Sequence, residues 1–129
     1  MPIDPKIEID LSHGERPLES WPAEMLLAEG SKAPPGWLVL TSHRCLFLRR
    51  VGRFGGGKVE KSPTFAIALA ELHSVSPRQF SMAIGYGDHY FVPGLELDGT
   101  EFRLPRDVPS APVVAAILAV RGSRDASPA

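Results

Sequence analysis

This chain of 129 residues has a single cysteine and no long apolar run. A lone cysteine excludes an internal disulfide and a cysteine-rich zinc site. Cys45 lies inside an apolar stretch, so it reads as a small buried hydrophobe rather than a reactive thiol. The longest uninterrupted apolar run, Val113 to Val120, falls far short of the roughly 20 residues a membrane-spanning helix needs. Neither sign of charge is in excess: the formal net charge is -1. That leaves no overall electrostatic case for nucleic acid or membrane, and any such case must come from a local patch. Residues 1–11 carry Asp4, Glu8 and Asp10 and lack an apolar signal-type core, so no signal peptide is expected. The predicted location is cytoplasmic, with a peripheral position at the membrane as the alternative.

What is present is an ordinary globular composition, 43% hydrophobic and 22% charged, on a length that fits one domain with one real core. Proline is in excess, at 13 residues, about twice the usual share. Most of these prolines fall between apolar runs. They lack the N–H that a sheet ladder uses, so they mark joints between elements.

The apolar runs are short and spaced for strands. Trp37-Leu38-Val39-Leu40-Thr41 and Cys45-Leu46-Phe47-Leu48 are the clearest, separated by Ser42-His43-Arg44. Neither alternates cleanly, which predicts that both of their faces are covered. Phe65-Ala66-Ile67-Ala68-Leu69 has its larger residues at every second position. Residues 79–86 are a further strand candidate. Tyr90-Phe91-Val92 and Leu95-Glu96-Leu97 lead into Asp98-Gly99, a strong hairpin dipeptide, and Glu101 to Leu104 alternates as the return strand. Residues 20–30 fit a short helix or a strand equally well. Ile7, Ile9 and Leu11 alternate with acids as in a short strand, within an N-terminal arm of residues 1–20. Val113, Val114, Ile117 and Leu118 have helical spacing, with Asp107 or Ser110 as cap, Pro112 in the first turn and Gly122 as stop. The expected organisation is an arm over 1–20, a mainly β domain over 21–122 with six to seven strands and one C-terminal helix, and a disordered tail over 123–129.

The stretch Gly36-Trp37-Leu38-Val39-Leu40-Thr41-Ser42-His43-Arg44-Cys45-Leu46-Phe47-Leu48 resembles the G-x-L-x-L-T-x-x-R-L-x-F segment of GRAM and bacterial pleckstrin-homology-like (PH-like) domains. Glu24-Met25-Leu26-Leu27 is similar to the first strand of that pattern. Leu69, Glu71, Leu72 and Val75 match its later segment, and Asp98-Gly99-Thr100-Glu101-Phe102 its last hairpin. In order, the match spans about residues 24–121. The resemblance implies a PH-like barrel of two near-orthogonal antiparallel sheets closed by the C-terminal helix, and a binding or assembly role rather than catalysis. Relatives that bind phosphoinositides place cations on the loop between the first two strands, where this chain has only Lys32.

Two groups of residues are candidates for binding. Arg49, Arg50, Arg53, Lys58 and Lys61 put five cations around Gly55-Gly56-Gly57, against one carboxylate, Glu60. Cations beside glycines suit phosphates or an anionic membrane surface. Tyr86, Tyr90 and Phe91 are the aromatics suited to a protein partner. For catalysis no G-x-S-x-G elbow occurs, and Gly85-Tyr86-Gly87 is only a fragment of a dinucleotide fingerprint. His43 and Cys45 are the only close pair of metal-type ligands, and a third cannot be named. No catalytic residue, cofactor, metal or nucleic-acid partner is expected. The expected function is a non-enzymatic interaction module that binds a protein partner or itself. An adaptor for anionic lipid through residues 49–61 is the alternative, and a small enzyme a distant third.

Overall fold

The β-prone runs around Trp37 and Cys45 pair as neighbouring antiparallel strands, with Leu38 opposite Phe47 and Leu40 opposite Cys45. In the computed structural model, which describes residues 3–27, 34–51 and 58–126, they belong to an antiparallel sheet of eight strands followed by one helix. The strands are β1 (Pro17–Met25), β2 (Pro35–Thr41), β3 (Arg44–Val51), β4 (Lys58–Val59), β5 (Phe65–Ala68), β6 (Val75–Gly85), β7 (Asp88–Leu97) and β8 (Thr100–Arg103). The helix is α1 (Ser110–Ala126). The sheet order is β4-β3-β2-β1-β8-β7-β6, with β5 pairing β3 off this path. The fold is therefore mainly antiparallel β with one C-terminal helix, as expected. The sheet does not close, however: among the described residues no strand joins β6 to β4 or β5.

The ambiguous segment at 20–30 resolves to strand over its described first half. Trp21, Ala23 and Met25 point into the core while alternate residues are half-buried, which is the strand period. Pro22 is tolerated because β8 pairs β1 only at Glu24 and Met25, so no ladder bond is needed on that side. β1 begins at Pro17, inside the stretch read as an arm. The alternation at Ile7, Ile9 and Leu11 does not make a strand. Those residues run across the sheet instead, and Ile7, with Ile3 and Ile9, covers Val39, Leu46 and Leu48.

The main core lies on the opposite face. Leu38, Leu40, Phe47, Leu95, Leu97, Phe102 and Ile117 are fully buried there, with Phe102 meeting Phe65 edge-on at 5.2 Å between ring centres. Both faces of β2 and β3 are thus covered, by different parts of the chain, which explains their unbroken apolar pattern. The helix buries Val113, Val114 and Ile117 and leaves Leu118 partly exposed. It runs past Gly122 to Ala126, so that glycine does not end it and residues 123–126 of the expected tail are helical, while 127–129 lie outside the described residues. The Ser110 hydroxyl accepts from Gly94 N–H at 3.0 Å, so it ties the helix start to β7. Gly94 has no room for a side chain: a Cβ there would run into the Phe80 ring and the Phe102 carbonyl oxygen.

Candidate functional site

The β6–β7 hairpin is longer than the sheet that supports it. β7 pairs β8 only from Gly94 to Leu97, whereas it pairs β6 back to Asp88. Residues 80–92 therefore extend beyond β8 as a two-stranded arm, and the far edge of β6 has no paired strand among the described residues. The arm turns at Tyr86-Gly87, between the paired residues Gly85 and Asp88, with a register irregularity between Ala83 and Gly85. Both turn residues have positive φ, 52° for Tyr86 and 79° for Gly87. That pattern marks a type I′ two-residue turn, whose first position favours Asn, Asp or Gly. A left-handed conformation costs other residues about 1–2 kcal/mol. Tyr86 adopts it while fully exposed.

The three aromatics proposed from sequence fare differently. Tyr86 stands alone at the tip. Phe91 lies on the arm at 61% exposed, opposite Ser81. Tyr90 faces the other side of the ribbon, where the Arg106 guanidinium covers its ring at 4.9 Å. On that side Arg103 also reaches the Met82 sulfur at 3.3 Å and pairs with Glu24 at 3.0 Å. Tyr86 and Phe91 are therefore the exposed aromatics of the arm, and Tyr90 packs against its own chain.

The basic group disperses. Arg49 is held by Glu60 at 2.6 Å, and Arg50 lies 6.0 Å from the centre of the Trp37 ring. Arg53 and Lys32 lie outside the described residues. Lys58 and Lys61 remain exposed, Lys61 in a loose pair with Glu8 at 3.8 Å. The N-terminal segment adds a lysine that the sequence reading did not include: Lys6, Lys58 and Lys61 line one open cleft of about 410 Å³, with Glu8 and Val59.

The sequence reading also missed Glu15. Its carboxylate is buried and accepts from the Thr41 hydroxyl at 2.5 Å, Arg44 Nε at 2.8 Å and Ser12 N–H at 2.9 Å. Burial by itself pushes this carboxyl up, but the Arg44 guanidinium, the Thr41 hydroxyl and the Ser12 N–H outweigh it and hold it at about 2. Thr41 Oγ1 in turn accepts from the N–H groups of His43 and Arg44. Thr41 and Arg44, the fixed points of the T-x-x-R motif, thus shape the β2–β3 turn and latch the N-terminal segment onto it.

Cys45 is wholly buried, and burial pushes its thiol up to about 12, so it serves packing. Among the described residues no three His, Cys, Asp or Glu side chains are grouped to hold a metal. The His89 ring lies 3.3 Å from the Ser81 hydroxyl on the exposed arm. Among the described residues no helix is long and apolar enough to cross a membrane. No protein-family model matches the chain, and no curated protein matches it in sequence.

Proposed function

We propose that this protein is a non-enzymatic interaction module of the PH-like kind, and that the β6–β7 arm is its contact element. The observation that carries this reading is Tyr86: a fully exposed aromatic held in a costly backbone conformation at the tip of an arm beyond the sheet. Local strain persists where something other than local stability selects it. Phe91 adds a second exposed aromatic on the same arm, and Tyr and Phe are enriched in binding surfaces. What supports the PH-like part of the reading is the coarse architecture alone, an antiparallel β sheet followed by one C-terminal helix.

The test is photo-crosslinking in cells, with Tyr86→p-benzoylphenylalanine or Phe91→p-benzoylphenylalanine in the full chain. The expected result is a discrete covalent adduct from either arm position and none from the same substitution at Ala115, an exposed site on the helix. Equal labelling from all three positions, or none from the arm, refutes the reading.

A second reading, docking on an anionic membrane surface, is favoured by the Lys6, Lys58 and Lys61 cleft. Each cation near an anionic leaflet contributes about 1 kcal/mol. Flotation with anionic vesicles that is lost in neutral vesicles, and in the Lys6→Glu/Lys58→Glu/Lys61→Glu protein, supports it. No flotation at low salt rejects it.

A further inference from the structure

We infer that Lys6, Lys58 and Lys61 form a site for a ligand with two or more clustered phosphate groups, and that its binding clamps the N-terminal segment onto the sheet. The inference rests on the cleft of the second reading being an anion site and is independent of the arm. The cleft has two walls from distant parts of the chain. Lys6 and Glu8 come from the segment 3–16, which lies across the outer face of β2 and β3. Lys58, Val59 and Lys61 come from β4 and the residues just after it. The segment falls outside the stretch that resembles PH-like domains, so the resemblance does not imply this site.

The segment is held firmly at its two ends and weakly here. Near its start the Asp4 N–H donates to the Ser20 hydroxyl at 3.1 Å. From Asp10 onward Arg44 holds it, through the Asp10 carbonyl at 2.6 Å and the Glu15 carboxylate at 2.8 Å. Between these points the one polar tie to the sheet among the described residues is Lys61 to Glu8, 3.8 Å apart, with side chains 83% and 76% exposed. A pair that open contributes little. Next to it a space of about 90 Å³ remains between Ile9, Asp10, Leu46 and Leu48. Three ammonium groups against one carboxylate leave the cleft at +2, and among the described residues no carboxylate pairs with Lys6 or Lys58.

Charge and size select the ligand. Lys6 shares the cleft with Lys58 and Lys61, and like charges on the two walls work against seating of the segment. An anion between the walls reverses the sign of that interaction. A monoanion leaves positive charge over, whereas linked phosphates carry enough charge to meet lysines on both walls. Lysine serves such groups as a point charge, without the planar fork that suits a carboxylate. The cleft volume of about 410 Å³ falls in the range of small-ligand sites, about 300–1,000 Å³. A ligand that needs both walls binds the seated segment alone and so stabilises it by mass action.

All three lysines are exposed, so replacing them leaves the core untouched. The test is amide exchange of the full chain at Ile7, a buried residue of the segment whose N–H donates to the Asp4 carbonyl at 3.0 Å. Sodium tripolyphosphate is the probe, at constant pH and ionic strength. At about 1 mM it is expected to raise protection of Ile7 about tenfold, the factor for a Kd of about 0.1 mM. Lys58→Ala with Lys61→Ala is expected to abolish the rise. Lys6→Glu is expected to be better protected than wild type without the probe and to show no rise with it, because a glutamate there already attracts the two lysines opposite. A wild type that does not respond overturns the inference. So does an equal rise in the Lys58→Ala/Lys61→Ala protein, or a Lys6→Glu protein no better protected than wild type. Vesicle flotation separates the sources of the phosphate. Flotation competed away by tripolyphosphate supports the inference with a lipid headgroup as source, and a tripolyphosphate response without flotation supports it with a free phosphate compound. Flotation with no tripolyphosphate response overturns the inference and leaves the membrane reading standing. Neither response refutes both.

Discussion

Two hairpins share strand β7, and both turn through two residues with positive φ. At Asp98-Gly99, the φ values are 47° and 92°. The aspartate suits the conformation, and its carboxylate accepts from the N–H groups of His73 and Ser74 at 2.9 and 2.6 Å. Beside it the buried Glu96 accepts from Gly99 N–H and from the hydroxyls of Ser74 and Ser76. Every group at that turn is used to hold the fold. At Tyr86-Gly87 the same geometry carries the wrong residue for the turn and a side chain that touches nothing. The first hairpin is built for stability. The second sets local stability aside for an exposed aromatic, and that contrast is the ground on which the arm is proposed as the contact element.

The largest expected effect comes from breaking what the two hairpins share. Gly94→Ala forces a methyl against the Phe80 ring and the Phe102 carbonyl and is expected to cost about 3 kcal/mol by chemical denaturation. A cost under about 0.5 kcal/mol shows that the arm is not anchored there.

Acid should separate the hairpins next. The carboxyls of Glu96 and Asp98 both lie below their usual range. For Glu96 the Gly99 N–H outweighs the burial that raises it, helped by Ser76, Ser74 and Arg78. For Asp98 the Ser74 N–H is the main cause, with desolvation opposing it and His73 adding to it. A depressed folded-state value means stabilisation that is complete above the unfolded value and is lost as pH falls through the folded one. Glu15, held at about 2 against a usual 4.5, follows the same sign, with a contribution of roughly 3 kcal/mol lost between about pH 4.5 and 2. Amide protection, corrected for the intrinsic exchange rate at each pH from 6 to 2.5, should therefore fall at Ser74, Gly99 and the Ser12 to Arg16 segment before it does along Ser81 to Ala83. Simultaneous loss of protection at both hairpins removes the distinction drawn between them.

The smallest effect has the opposite sign. Tyr86→Asn supplies the residue the turn prefers and should raise stability by up to about 1 kcal/mol while reducing arm-mediated association. If it destabilises the protein, the tyrosine is there for the fold and the contrast collapses.

The sequence made some of this legible. β2 and β3 follow from unbroken β-prone runs, the β7–β8 turn from Asp-Gly, and the helix from the spacing of Val113, Val114 and Ile117. The Tyr86-Gly87 turn was hidden because tyrosine is not a residue of such turns. Had the tip read Asn-Gly, the long hairpin would have been plain. Glu15 escaped because its partners, Thr41 and Arg44, are 26 and 29 residues away. The alternation of Ile7 and Ile9 was genuine but misassigned, since residues that cover a sheet face can mimic the pattern of a strand within it. The basic group read as one patch because a count of charges along the sequence does not show that Glu60 holds Arg49 and that the Trp37 ring takes Arg50.

The latch at Glu15 bears on where this domain can be cut. Residues 3–16 carry no strand or helix, and a boundary drawn by secondary structure alone would discard them. A fragment beginning at Pro17 would bare the outer surfaces of Val39, Leu46 and Leu48 and strip Arg44 of its carboxylate, leaving a sheet sticky on one side. Such a fragment would be expected to precipitate or to cluster through that face, and any assembly measured on it would report the missing cover rather than the arm.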